Sequence, residues 1–246
     1  MSLPQIVLIP GLMNDADLWR DQIAGLEDIA RPRVADITRG DTLAVLAEMV
    51  LATSADTFAL AGFSLGGLVA QEIMRRAPER VTHLALLDTT MLPDTPERTA
   101  EREALVAQAK KPGRFHGFGR KLARSYLSPD NQSNHVLIDR VRAMTERLGP
   151  DVFIRQSRVD RPDSRSSLTR ISCPTLVLCG RHDVLTPPSL HEDMARRIPG
   201  AELVILEESG HLTPIEEPEK VTAKLRQLLG RTSASGTRTA EAASES

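Results

Sequence analysis

Cysteine is scarce in this chain: Cys173 and Cys179 are the only two. They bracket one short apolar run, and six residues of extended chain hold them about 20 Å apart, too far for a disulfide between them. Free thiols without a disulfide framework fit a reducing compartment, so a cytoplasmic protein is expected. Long apolar runs are missing too. Ile6–Ile9 is cut off by Pro10-Gly11, far short of a membrane span or of a signal peptide's apolar core. Neither sign of charge is in excess, and the formal net charge of −2 gives no reason to expect nucleic acid or a membrane as partner. No His/Cys cluster has zinc spacing and no glycine-rich phosphate loop is present, so no metal and no cofactor is expected. What remains is a 246-residue chain, 41% hydrophobic and 26% charged, long enough to bury one sizeable core.

Six short apolar runs alternate with helical patterns: Ile6–Ile9, Arg33–Ile37, Phe58–Phe63, Leu84–Leu87, Thr175–Cys179 and Leu203–Leu206. Between them, apolar residues recur at helical spacing near Leu18–Leu26, Thr42–Leu51, Leu65–Ala77, Pro187–Arg197 and Pro218–Leu229. That rhythm predicts an α/β fold, a parallel sheet with helices on both faces. It breaks once. Residues 91–170 contain only helical patterns, around Arg98–Ala109, Phe115–Tyr126 and Val136–Leu148, punctuated at Pro112-Gly113, Pro129 and Gly149-Pro150. The expected organisation is therefore a core of 1–90 and 171–230, a helical insertion of 91–170 and a disordered Ser/Thr/Ala/Glu-rich tail of 231–246. The insertion holds thirteen Arg and three Lys against six Asp and four Glu, a net +6, so the remainder carries −8. A basic insertion over a site would attract anionic substrates or an acidic carrier protein, unless these charges are only the solvated faces of its helices.

Gly62-Phe63-Ser64-Leu65-Gly66 stands between an apolar run and a helical pattern that Pro78 ends. With Gly and Ser each near ~7% of residues, about one chain in twelve of this length would contain Gly-x-Ser-x-Gly by chance. The strand–turn–helix setting is what makes it a nucleophile elbow, with glycines allowing a tight turn around a strained serine. A serine hydroxyl needs a base, and the base an orienting partner. Gly180-Arg181-His182-Asp183, with Thr186-Pro187, follows the fifth run; Ser209-Gly210-His211 follows the sixth. Both lie past the carboxyl ends of strands, where ligands collect in open parallel sheets.

With its Pro10-Gly11-Leu12 and Trp19, its elbow, its Gly180–Asp183 loop and its Gly210-His211, the chain resembles the α/β-hydrolase fold family over residues 5 to about 229. The resemblance is closest to small bacterial carboxylesterases and 3-oxoadipate enol-lactonases, through Gly62–Gly67 followed by Leu68-Val69-Ala70-Gln71 and Gly210-His211-Leu212 leading to Glu217-Pro218. It implies Ser64 as nucleophile, His211 as base, Asp183 as its orienter, an oxyanion hole from the N–H groups of Leu12 and Leu65, and the insertion as a lid. It further implies about six parallel strands, without the two that precede them in the family, and hydrolysis of a small ester or lactone, anionic if the lid's charge contacts it. Alternatives remain open. Ser64 could be a helix N-cap, Asp183 a cap for the helix near Pro187, and Asp88 the acid instead. The fold also hosts lyase and carbon–carbon bond chemistry, haloperoxidase-like side activities and non-catalytic receptors. His182 reads as a loop residue; His83, His116, His135 and His191 read as surface residues; and Arg120, Arg124, Arg155 and Arg158 are candidate anion contacts only by belonging to the insertion.

Overall fold

A computed structural model describes residues 3–111, 113 and 115–231. Six strands, β1 (Gln5–Ile9), β2 (Arg31–Val34), β3 (Phe58–Phe63), β4 (Val81–Leu87), β5 (Thr175–Gly180) and β6 (Glu202–Leu206), pair in the order β2-β1-β3-β4-β5-β6, all parallel. The helices are α1 (Arg20–Leu26), α2 (Leu43–Ala52), α3 (Leu65–Arg76), α4 (Pro96–Ala109), α5 (Arg120–Ser125), α6 (His135–Ser157), α7 (Arg165–Leu168), α8 (Pro188–Arg197), α9 (Thr213–Glu216) and α10 (Pro218–Leu229). Successive strand residues face opposite sides. Val7, Ile9, Leu60, Leu86 and Val177 pack with residues of α2, α3 and α8; Ile6, Leu8, Ala61, Leu87 and Leu178 pack with α1, α10 and the insertion helices α5 and α6. Burial on both faces is why β3 and β5 read as continuous apolar runs.

The second strand lies earlier than the expected Arg33–Ile37. Ala35 and Ile37 are buried but fall beyond it, and the strand instead takes in Pro32. Proline is tolerated there because β2 is an edge strand. In the insertion, residues 115–119 are not helical, and Gly117 takes φ 75°. The pattern beginning at Val136 does break at Gly149 (φ 74°, ψ −179°), but Pro150 starts a further helical stretch to Ser157. Cys173 and Cys179 are free thiols. Of the tail, only Arg231 lies within the described residues. Among the described residues no helix is long and apolar enough to cross a membrane.

The strand order places the site. The chain runs from β1 outward to β2, then returns across β1 to β3, so the loops after β1 and β3 diverge and leave a crevice at their carboxyl ends. Leu12 follows one strand and Ser64 the other.

Candidate active site

β3 ends at Phe63 and α3 begins at Leu65, so Ser64 makes the turn alone, at φ 51° and ψ −115°. A positive φ on a residue with a Cβ costs about 1–3 kcal/mol and persists only where the surroundings impose it. Here the Ser64 N–H donates to the Leu87 carbonyl (2.9 Å), and its own carbonyl accepts from the Gly67 N–H (2.9 Å) and the Thr89 hydroxyl (2.7 Å). The side chain makes no cap bond to the helix; Oγ lies instead 3.1 Å from His211 Nε2. Gly66 is required by close approach. A Cβ there would overlap the carbonyl oxygens of Ile9 and Pro10, so only glycine lets the first turn of α3 sit against the loop that carries Leu12.

The second strand end brings the acid. Asp183 is buried, and its Oδ1 accepts from the N–H groups of Leu185 and Thr186, each at 2.9 Å. Its Oδ2 accepts from the Thr186 hydroxyl (2.6 Å) and faces His211 Nδ1 at 2.8 Å. Because Oδ2 can only accept when ionised, Nδ1 carries the proton and Nε2 is free to accept from Ser64. Burial opposes ionisation of Asp183, but the His211 imidazole and the hydrogen bonds from His211 and Thr186 outweigh it and hold the carboxyl below its ordinary range. Phe63 and Tyr126 flank the His211 ring at centroid distances of 5.2 and 6.0 Å, and the His211 N–H donates to the Tyr126 carbonyl at 2.7 Å. Glu216 ties the histidine loop to the insertion. Oε1 accepts from the Gly210 N–H (2.9 Å) and Oε2 from the Ser128 N–H (2.7 Å).

Asp88 stands elsewhere. Fully buried at φ 44°, it accepts from the Gly180 N–H at 3.1 Å and from the Thr213 hydroxyl, bridging the loops that carry Asp183 and His211 without facing the imidazole. Burial, then the charge of Asp183, push its carboxyl well above the ordinary range and favour its neutral form. His191 corrects the expectation of a surface residue: it is fully buried on α8. Its Nε2 accepts from the Thr89 N–H (3.0 Å), which leaves Nδ1 to donate to the Pro187 carbonyl (3.3 Å). His182 is exposed, as expected of a loop residue.

A cavity of about 430 Å³ opens above the serine, bordered by Ser64, His211, Leu12 and Leu65. Among the described residues the N–H groups of Leu12 and Leu65 have no acceptor. The loop carrying Leu12 is held from the insertion, where the buried Gln156 accepts from the Met13 N–H (2.8 Å) and donates to the Ile37 carbonyl (3.3 Å). The arginines that border the serine's cavity are not those expected. Arg120 pairs with Asp139 (3.2 Å), Arg124 is exposed, Arg155 donates to the Thr38 carbonyl and Arg158 borders a separate cavity. Arg98, Arg102 and Arg161 line the Ser64 cavity instead, together with Asp94. No motif marks these three, and only their spacing on α4 places Arg98 and Arg102 on one face.

Residues 6–225 match the Alpha/beta hydrolase family. The chain belongs to that family. It is 25% identical over 255 residues to a pimeloyl-[acyl-carrier protein] methyl ester esterase of Vibrio campbellii, a match covering 92% of this chain and 94% of that protein. An esterase of the same name from Neisseria meningitidis is 29% identical over 176 residues, 68% and 67% of the two chains. Among solved structures, a thermophilic esterase from Thermogutta terrifontis superposes with a TM-score of 0.80 at 30% identity, covering 93% of this chain and 90% of that one. The enol-lactonase from Burkholderia xenovorans gives a TM-score of 0.82 over 94% and 93%, and at 24% identity that likeness is one of fold.

Proposed function

We propose that this α/β hydrolase cleaves a carboxylic ester or lactone through an acyl-enzyme on Ser64. The observation that carries the reading is the hydrogen-bonded line Asp183–His211–Ser64, ending in a strained serine at the floor of a largely apolar cavity. His211 Nε2 takes the Ser64 proton as Oγ bonds to the carbonyl carbon, and the carbonyl electron pair moves onto oxygen. The N–H groups of Leu12 and Leu65 receive that oxyanion. Collapse breaks the ester C–O bond, and the leaving alkoxide takes the proton from His211. Water then repeats the sequence with His211 as base, releasing the acid and restoring Ser64. Asp183 stays ionised throughout and offsets the imidazolium charge. The 91–170 insertion acts as the lid, and its net +6 favours substrates bearing an anionic group. The named activities of the Vibrio and Neisseria relatives support ester hydrolysis, and the Thermogutta esterase, described as malate bound, supports an acidic ligand. A fluorophosphonate probe should label the protein once and leave Ser64→Ala unlabelled, with p-nitrophenyl ester turnover reduced about 10⁴-fold or more. Labelling or turnover that survives the substitution would place the nucleophile elsewhere.

A further inference from the structure

We infer that Arg98, Arg102 and Arg161 form a carboxylate-binding subsite on the insertion side of the Ser64 cavity, so that the preferred substrate is a half-ester or lactone whose acyl chain ends in a carboxylate. The inference rests on the esterase reading above and deepens it.

Three guanidinium groups border this cavity among the described residues, and there a single carboxylate, Asp94, lies within ion-pair distance of two of them, Arg102 and Arg161. Asp94 Oδ2 accepts from Arg102 Nε at 3.1 Å and Nη2 at 2.5 Å, and Arg161 Nε lies 3.8 Å from the same oxygen. Arg98 Nη2 donates to the Leu185 carbonyl at 2.7 Å, and Arg161 Nη1 to the Val159 carbonyl. Glu101 also borders the cavity and makes no ion pair with the three among the described residues. Among the described residues that border this cavity, one positive charge is in excess even counting Glu101; Asp160, whose charge also reaches Arg161, borders the second cavity, which shares Asp94, Arg102 and Arg161 with this one. Of the three, Arg161 is the enclosed one, its side chain 9% exposed, while Arg98 and Arg102 are half-buried. Burial, and then the charge of Arg102, lower the Arg161 guanidinium to about 10. Cations held together against solvation in this way gain most from an added anion.

Donors remain for it. A guanidinium carries five N–H groups in a planar fork, and Arg98 and Arg161 each use only part of theirs. A carboxylate brings one negative charge and a matching pair of acceptors, whereas a phosphate monoester would overcompensate one excess positive charge. The cavity lining is largely apolar, with Leu68, Leu105, Phe118 and Phe153 among it, so the linking chain should be methylenes rather than polar groups. Asp94 then acts as a resident counter-ion that keeps the forks aligned before substrate arrives.

The test compares monomethyl esters of straight-chain dicarboxylic acids with the matching dimethyl esters. It uses the wild type, Arg98→Gln, Arg161→Gln and, as a surface control, Arg120→Gln. The wild type should prefer the monoester by about tenfold in kcat/KM. Arg98→Gln, which breaks no pair with Asp94 but loses the bond to the Leu185 carbonyl, should lower kcat/KM for the monoester about tenfold more than for the dimethyl ester, the difference appearing in KM; Arg161→Gln should show the same difference, and Arg120→Gln should show none. Asp94→Asn should move the other way and tighten the monoester. Glutarate should bind Ser64→Ala protein in calorimetry, lose that affinity in the added Arg98→Gln, and compete with the dimethyl ester in the active enzyme. Absence of monoester preference, equal losses on both esters, or inhibition by glutarate that is not competitive would each overturn the subsite. If no ester is turned over while glutarate still binds through Arg98, the esterase reading fails and the carboxylate site stands.

Discussion

Two buried aspartates at the ends of neighbouring strands are driven to opposite protonation states by what surrounds them. Asp183 is wrapped in donors and the imidazole, which outweigh its burial; Asp88 has burial and the Asp183 charge against it. Chemistry that needs a charged orienter can use the first and not the second. Asp183→Asn keeps the shape but offers His211 Nδ1 an amide, and the imidazole can settle in the wrong tautomer. Turnover should fall on the order of 10⁴-fold in a protein that still folds, with some loss of stability because the ionised carboxyl is favoured in the folded state. In Asp88→Asn the amide mimics a neutral carboxyl: its oxygen still accepts from Gly180 and its NH2 can donate to Thr213. The loss there should stay within about tenfold, while Asp88→Ala, which strands two buried partners, should cost stability of about 1–3 kcal/mol. Measuring kcat and denaturant midpoints for the three variants checks the assignment, and a crippled Asp88→Asn of normal stability would move the acid to β4. The sequence already favoured Asp183, because its loop and Thr186-Pro187 form a local motif. It could not show that Asp88 braces the two loops, since Gly180 and Thr213 reach it only through the sheet.

Among the elements, what is legible in the sequence is what neighbouring residues determine. β3, the elbow and α3 follow from an apolar run, two glycines and a helical period within a single segment, and the order of the six strands' chain positions follows from alternation. The insertion is less legible because its geometry depends on distant partners. Residues 115–119 look helical by pattern, yet the Phe118 N–H donates to the Thr145 hydroxyl at 2.8 Å, and the chain around Gly117 turns instead. Gln156 is the sharpest case: its bond to the Met13 N–H spans 143 residues and leaves no local trace. This contact ties the C-terminal end of α6 to the loop that presents the Leu12 N–H. Gln156→Leu keeps the volume and removes both polar partners, stranding a buried N–H and carbonyl at a cost of about 1–3 kcal/mol. On the proposed mechanism, loosening one oxyanion donor should lower kcat by about tenfold or more, less than the 10²–10³-fold of deleting one outright. KM for a neutral ester should change little. A variant with the expected loss of stability but unaltered kcat would show that Gln156 only fastens the insertion down.

For the molecule as a whole, the buried histidine on α8 links folding to pH. His191 joins α8 to the loop after β4, where Thr89 in turn holds the Ser64 carbonyl, so one imidazole connects α8 to the elbow. Burial lowers it from 6.5 to about 4, with the nearby Asp183 and the Pro187 carbonyl only partly opposing. The unfolded chain takes up a proton near 6.5 and the folded one not until about 4. Between those values the unfolded state binds more protons, and stability must fall as pH falls. Each pH unit in the window costs about 1.4 kcal/mol, so the full contribution is on the order of 3 kcal/mol, complete below pH 4 and absent above about pH 7. Asp183 adds acid sensitivity of its own, whereas Asp88, raised on folding, contributes the opposite slope. Both persist in His191→Gln, so the difference between the two proteins isolates the histidine. At pH 7.5 the variant should be less stable by about 1–3 kcal/mol, having lost the imidazole's packing and one hydrogen bond. On acidification the gap should close and the two curves meet or cross before pH 4. Urea midpoints taken every half pH unit from 7.5 to 4 decide the matter, and parallel curves would mean that His191 is protonated in the folded protein or contributes no linkage.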